Sequence, residues 1–143
     1  MIDHFLKFLH GSTQRKFTGK TVLVVDDNPT DRTLIRNILM KQGYKIVQAV
    51  NGQEGLEIAR RERPDLILLD CEMPIMGGNA MCRLLKNDEE LNKIPVIFLT
   101  GLNTPQNIID CFDADCENYL AKPVNSKILS TQIETALEGY SST

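Results

Sequence analysis

Short apolar runs recur along this chain, each separated from the next by a segment with helical periodicity. A strand of a parallel sheet that is buried on both faces has this length and this unbroken apolar character. Strands that alternate with helices form a parallel sheet covered on both faces. The sequence therefore predicts an α/β fold with five strands and five helices. The predicted strands are 21–25, 44–50, 66–69, 95–99 and 119–121.

The intervening segments carry their own start and stop signals. Asn28-Pro29 is a helix N-cap followed by a first-turn proline, and Gly43 is typical of a helix end. The second helix is predicted over Gln53–Arg63, before Pro64. The other three helices are defined by apolar spacing. They contain Met81, Leu84 and Leu85; then Ile108, Ile109 and Phe112 after Thr104-Pro105; then, over about Ser126 to Glu138, the inward residues Ile128, Leu129, Ile133 and Leu137.

Polar residues follow four of the predicted strands at the point where each ends. They are Asp26-Asp27, Asp70, Thr100 and Lys122. In an open parallel sheet, ligands bind outside the carboxyl ends of the strands. We therefore expect these side chains to meet at one edge of the sheet.

These residue types favour phosphoryl chemistry that depends on a divalent cation. Three clustered carboxylates repel one another, and oxygen ligands without His or Cys favour Mg²⁺ (or Mn²⁺) over zinc. Lys122 supplies a positive charge for a phosphoryl group and Thr100 supplies a hydrogen-bond donor. An aspartate can itself be the nucleophile. Taken singly, each residue has a plainer explanation as a helix cap, a strand end or a solvated lysine, and their coincidence at successive strand ends favours a site.

Four segments of the chain match one family. They read Val-Leu-Val-Val-Asp26-Asp27-Asn-Pro, then Leu-Leu-Asp70-Cys-Glu-Met-Pro-Ile-Met-Gly-Gly, then Phe-Leu-Thr100-Gly, then Asn-Tyr119-Leu-Ala-Lys122-Pro. In this order and spacing, the chain resembles the receiver domain of bacterial response regulators of two-component signalling over residues 20–138. The resemblance implies a flavodoxin-like, doubly wound sheet with strand order 2-1-3-4-5.

The resemblance also implies roles for individual residues. Asp70 takes a phosphoryl group from a histidine kinase or a histidine phosphotransfer protein. Asp27, Asp70 and the backbone carbonyl of Glu72 ligate Mg²⁺, and Asp26 acts mostly through water.

Further roles implied by the family concern the bound phosphoryl group. Lys122 and Thr100 hold its oxygens. Movement of Thr100 toward the group lets Tyr119 swing inward and remodels the surface of the fourth and fifth helices.

The chain departs from the usual family pattern at a few positions. Ala114-Asp115-Cys116 stands where a glycine is common, and Gly101 where alanine is common. Glu72 and Leu102 lie at positions that tune dephosphorylation in the family. Cys71 follows Asp70, and strand alternation predicts that its thiol points away from the site into the core.

The remaining expectations concern organisation and location. Residues 1–19 are predicted to be an arm and residues 139–143 a tail, which leaves no room for an output domain. Ile2, Phe5, Leu6 and Leu9 have helical spacing. The arm either packs on its own domain or is a docking or dimerisation helix, so a monomer or weak dimer is expected.

Four cysteines without a C-x-x-C pair indicate reduced thiols in the cytoplasm. A net charge of -3 disfavours nucleic acid, and no apolar run suits a membrane span.

Four functions are compatible with these residues. The first is a switch that signals by protein contact, without enzymatic activity beyond its own phosphorylation and dephosphorylation. The second is a phosphorelay intermediate or phosphate sink, which uses the same residues. A pseudo-receiver is disfavoured because the acidic residues, Thr100 and Lys122 are all present. A phosphatase with an aspartyl nucleophile would need Glu72 as its acid–base, although Glu72 follows the third strand and not the first.

Overall fold

The computed structural model describes residues 18–101 and 118–141, together with positions 106, 109, 110, 113 and 116. Five parallel strands form one sheet in the order β2-β1-β3-β4-β5. This confirms the predicted fold class and strand order. The strands are β1 (Thr21–Val25), β2 (Lys45–Ala49), β3 (Leu66–Asp70), β4 (Val96–Thr100) and β5 (Asn118–Ala121).

Four helices lie within the fully described parts of the chain. They are α1 (Pro29–Lys41), α2 (Gly52–Glu62), α3 (Gly78–Lys86) and α4 (Ser126–Ser141). The Asn28 side chain caps α1 by accepting hydrogen bonds from the backbone N–H groups of Thr30 and Asp31, as the N-cap signal predicted. Between β4 and β5, the described residues Gln106, Ile109, Asp110 and Asp113 are helical. The predicted helix start at 104–105, the residues Ile108 and Phe112, and the arm over 1–17 lie outside the described residues.

Two apolar layers cover the sheet, one on each face. Alternate residues of β1 point to opposite faces, so Leu23 and Val25 enter the layer beneath α2 and α3, whereas Val22 and Val24 enter the layer beneath α1 and α4. All five residues of β3 and all five of β4 are buried. The sheet centre is therefore a closed core, and β1 and β3 hold their carboxyl ends rigidly side by side.

Helix faces and ends differ from the sequence prediction in detail. Ile128, predicted to face inward, is 52% exposed, whereas Leu129 and Ile133 are fully buried. Successive residues of a helix are about 100° apart, and here Leu129 and Ile133, four residues apart, share the face toward the sheet while Ile128 lies at its side. The last helix also extends three residues beyond the predicted Glu138, and the other predicted boundaries of described strands and helices either match or differ by one residue. Among the described residues, no helix combines the length and apolar composition that crossing a membrane requires.

Candidate functional site

Three aspartates meet at the carboxyl edge of the sheet. Asp26 and Asp27 directly follow β1, and Asp70 is the last residue of β3, which pairs with β1 through Val25 and Leu69. Carboxylate oxygens of the three residues lie within 4.8 Å of one another. Asp26 is fully buried and Asp70 is 6% exposed, whereas Asp27 is exposed. This arrangement concentrates negative charge and leaves one side open to solvent.

Lys122 places the compensating charge within this acidic group. Its Nζ donates to Asp26 Oδ2 at 2.8 Å, to Asp31 Oδ2 at 3.0 Å and to Asp70 Oδ2 at 3.4 Å. Its side chain is only 16% exposed. The backbone N–H of Lys122 donates to the Thr100 carbonyl at 2.8 Å, which continues the pairing of β5 with β4. The sheet itself therefore aims the ammonium group at the aspartates.

The surroundings of Asp70 oppose its negative charge. Burial raises the pKa of Asp70 to about 6, and the nearby charge of Asp26 acts in the same direction. The Glu72 backbone N–H, which donates to Asp70 Oδ1 at 3.2 Å, and the charge of Lys122 act against that rise. A buried carboxylate with a raised pKa gains stability from a bound cation, because the cation replaces the lost solvation.

Opposing effects also act on the pKa of Lys122, but here the neighbouring charges favour the ionised form. Burial alone lowers it, but hydrogen bonds to Asp26 and Asp31, together with the charges of Asp70 and Asp26, outweigh burial. The pKa of Lys122 is raised above its ordinary value. Lys122 is therefore a permanent positive charge in this site at neutral pH.

The hydroxyl and aromatic residues of the predicted site lie on neighbouring strands. Thr100 is the last residue of β4 and is 1% exposed. Tyr119 lies on β5 opposite Phe98, is half-buried and packs against the same apolar layer as Phe98. Since Phe98 and Thr100 are two residues apart on one strand, Thr100 and Tyr119 project from the same face of the sheet.

The loop between β3 and α3 closes tightly over the end of β3. A Cβ added to Gly78 would collide with the backbone oxygen of Asp70, so only glycine fits there. The Gly78 N–H donates to the Cys71 carbonyl at 3.2 Å, and the Gly52 N–H donates to the Met76 carbonyl at 3.3 Å. Glu72 lies exposed in this loop, and Cys71 is half-buried against the core layer that contains Leu69.

Sequence reasoning missed Asp31. It lies in the first turn of α1, four residues after Asp27, and its carboxylate contacts Lys122. An acidic residue in the first helical turn has an ordinary explanation in the helix dipole, so no local signal singles it out. Its contact depends on Lys122, which is 91 positions away along the chain.

Comparison with known proteins agrees with this geometry. The response regulator receiver domain family matches residues 22–134 of the chain. The chain belongs to this family. The polar-differentiation response regulator DivK of Brucella anthropi is 37% identical over 106 residues, which is 74% of this chain and 86% of that protein. Receiver domains have a phosphoacceptor role in two-component signalling, and they are generally signalling proteins and not enzymes.

Solved receiver domains share the fold. The receiver domain of sensor histidine kinase PA1611 from Pseudomonas aeruginosa, solved with a magnesium ion coordinated in its active-site cleft, has a TM-score of 0.79 and 29% identity, over 83% of this chain and 98% of that one. The signal receiver domain of a histidine kinase from Syntrophus aciditrophicus has a TM-score of 0.79 and 34% identity, over 84% and 91% of the two chains. Receiver domains bind Mg²⁺ at this acidic pocket, and the all-oxygen donor set of Asp26, Asp27 and Asp70 fits that ion.

Proposed function

We propose that Asp70 of this receiver domain accepts a phosphoryl group from a phosphohistidine on a sensor kinase or phosphotransfer protein, and that the phosphorylated chain signals by contact with another protein. The observation that carries this proposal is the meeting of Asp26, Asp27 and Asp70 with the Lys122 ammonium at one sheet edge. In the transfer step, an Asp70 carboxylate oxygen forms a bond to phosphorus while the bond from phosphorus to the histidine nitrogen breaks, and the proton needed by the leaving imidazole comes from solvent or the donor.

The proposed Mg²⁺ ligands are Asp27, Asp70 and the backbone carbonyl of Glu72, with Asp26 acting through water. When bound, Mg²⁺ neutralises the acidic group and orients the phosphoryl oxygens. The remaining work falls to the chain. Lys122 and Thr100 hold phosphoryl oxygens at the ends of β5 and β4, and their burial excludes water from one side of the reacting group.

The proposed switch joins Thr100 to Tyr119. Both residues project from one face of the sheet, so a shift of the Thr100 hydroxyl toward a phosphoryl group opens space toward which Tyr119 can move. Tyr119 also lines a surface groove of about 430 Å³, which is mostly apolar. Its other lining residues are Leu120, Ala121, Pro123, Val124, Asn125 and Ile128. A groove whose wall includes the switch residue is a suitable surface for a partner that recognises the phosphorylated state.

A relay role is the second candidate. Two solved structures similar to this chain are receiver domains of histidine kinases, in which a receiver is part of the kinase chain. DivK, in contrast, is named a response regulator. The same site serves a relay, a phosphate sink and a switch. Transfer of the phosphoryl group from this chain to a histidine phosphotransfer protein, faster than its hydrolysis, is the result that favours the relay.

Two further proposals concern the location of the protein and the role of its N-terminal arm. A cytoplasmic location suits a partner that is a kinase or a phosphotransfer protein. The arm over residues 1–19 is proposed to pack on its own domain or to mediate docking. Deletion of residues 1–12 that leaves oligomeric state and partner binding unchanged would remove the docking proposal.

The first test is phosphorylation by a small donor. The wild-type protein, incubated with Mg²⁺ and acetyl phosphate, is expected to gain the mass of one phosphoryl group, and Asp70→Asn is expected to gain none. Omission of Mg²⁺ with a chelator is expected to abolish the adduct in the wild type. An adduct that persists in Asp70→Asn would assign the acceptor elsewhere. Turnover of an external phosphate ester, with no stable adduct, would favour the phosphatase alternative.

A further inference from the structure

Asp31 competes with the rest of the site for the charge of Lys122. An ammonium group has three N–H donors. In this structure Lys122 contacts three carboxylates, those of Asp26, Asp31 and Asp70. A phosphoryl oxygen on Asp70 can therefore reach a donor of Lys122 only if one of these contacts is released.

Asp31 is the partner that can be released at the lowest energy. Asp26 is fully buried, so its carboxylate would lose Lys122 without gaining water. The side chain of Asp31 is 36% exposed and can be solvated when the contact breaks. Asp70 carries the phosphoryl group itself. Of Asp26 and Asp31, the two partners that keep their carboxylate charge after phosphorylation, only Asp31 can be released without leaving a buried charge unpaired.

The ordinary explanation of Asp31 does not account for this contact. An acidic side chain in the first turn of a helix interacts favourably with the helix dipole from any rotamer near the N-terminus. The N-terminal N–H groups of α1, including that of Asp31, are already capped by Asn28 Oδ1. The Asp31 Oδ2 atom instead lies 3.0 Å from Lys122 Nζ, which also contacts Asp70.

We propose that Asp31 is a positioning residue, which draws the Lys122 ammonium toward α1 in the unphosphorylated protein and gives it up to the phosphoryl group on phosphorylation. The proposal rests on the proposed function of the site. It concerns a residue outside the predicted acceptor, metal-binding and switch residues. The proposal also implies that phosphorylation changes the contacts of the first turn of α1, because Asp31 loses its partner when Lys122 moves.

The proposal predicts opposite effects of Asp31→Asn on two ligands. Without Asp31, Lys122 turns more fully to Asp26 and Asp70 and competes with Mg²⁺, so the affinity for Mg²⁺ alone is expected to fall. Fluoroberyllate, a tetrahedral mimic of a phosphoryl group, no longer competes with Asp31 for Lys122, so its affinity at saturating Mg²⁺ is expected to rise. Each change is expected to be about two- to fivefold, the range for a partly exposed ion pair. General damage to the site would weaken both ligands.

The experiment is a double-mutant cycle on the full chain, with Mg²⁺ affinity followed by amide chemical shifts. Asp31→Asn is compared in the wild type and in Lys122→Met, with Asp31→Glu as the conservative variant. The effect on Mg²⁺ is expected to disappear in Lys122→Met and to be largely rescued by Glu. Glu57→Gln, an equal change of net charge at an exposed position on α2, is expected to change neither affinity.

Two results would overturn the proposal. One is an Asp31→Asn effect that persists undiminished in Lys122→Met, which would show that Asp31 acts through space and not through the lysine. The other is unchanged affinity for both ligands. A wild-type protein that takes no phosphoryl group from any donor would instead refute the proposed function, while the Mg²⁺ cycle, which needs no donor, still decides the role of Asp31.

Discussion

Asp70 combines two demands that conflict at the scale of a single residue. The proposed acceptor role requires an ionised carboxylate, yet Asp70 is nearly buried, and burial raises its pKa to about 6. Because the folded state holds the proton more tightly than the unfolded chain does, the stabilisation from this group is complete only below its unfolded pKa of about 4 and is lost as pH rises through about 6. The ionised site is thus a source of instability that a cation relieves.

This balance predicts that Asp70→Asn stabilises the metal-free protein near neutral pH. We expect the free energy of unfolding to rise by about 1–3 kcal/mol at about pH 7.5, and the difference from wild type to shrink toward about pH 4.5. Urea unfolding in the presence of a chelator measures both values. A difference that stays constant with pH would show that ionisation of Asp70 is not its cause.

Ile75 holds an unfavourable backbone conformation. Its φ is 72°, in the left-handed region that β-branched residues rarely adopt, and its side chain is 79% exposed. Ile75→Asn is therefore expected to increase the free energy of unfolding by about 1 kcal/mol, because asparagine tolerates this region. Ile128→Asn, the same chemical change at an exposed helical position, is the matched control and is expected to give no increase. Equal effects in thermal or urea unfolding would contradict the assignment of strain to Ile75.

At the scale of elements, the junction of β3 with α3 allows almost no extra volume. A Cβ on Gly78 would collide with the Asp70 backbone oxygen and come within 2.9 Å of Phe98 Cε1, whereas a Cβ on Gly77 would meet the Cys71 oxygen at an ordinary 3.5 Å. The end of β3 is therefore fixed by a contact with the helix that follows it.

The neighbouring glycines offer a matched pair of variants. Gly78→Ala is expected to destabilise the protein by about 2 kcal/mol or more, because the backbone around Asp70 must shift, and to slow phosphorylation by acetyl phosphate. Gly77→Ala is expected to change stability by less than about 0.5 kcal/mol and to leave phosphorylation unaffected. Urea unfolding and intact mass measure the two effects. Similar losses of stability and of phosphorylation in both variants would show that the whole loop, and not the contact at Gly78 alone, limits added volume.

The order and type of the elements could be predicted from the sequence, because buried strands and capped helices leave local signals. The strand ends also predicted that Asp26, Asp70 and Lys122 would meet. The inward prediction for Ile128 was wrong because Leu129 and Ile133 lie better placed to face the sheet. Asp31 could not be singled out, since its role depends on the path of one lysine side chain across the sheet.

At the scale of the whole molecule, a ligand that binds only the folded chain stabilises all of it. Mg²⁺ at one hundred times its dissociation constant is expected to raise the free energy of unfolding by about 2.7 kcal/mol. In Asp27→Asn, with a weakened site, the increase at the same concentration is expected to be much smaller. Thermal unfolding with and without Mg²⁺ measures both. An equal gain in the variant would indicate nonspecific binding.

The ion pair between Asp26 and Lys122 joins residues 96 positions apart. Asp26 directly follows the first strand of the chain, and Lys122 directly follows the last. A growing polypeptide contains Asp26 long before Lys122 is made, and a chain whose last strand has not docked holds its acidic residues without this counter-charge. The charge balance of the acidic group is therefore completed in one late step, the docking of the last strand against its neighbour.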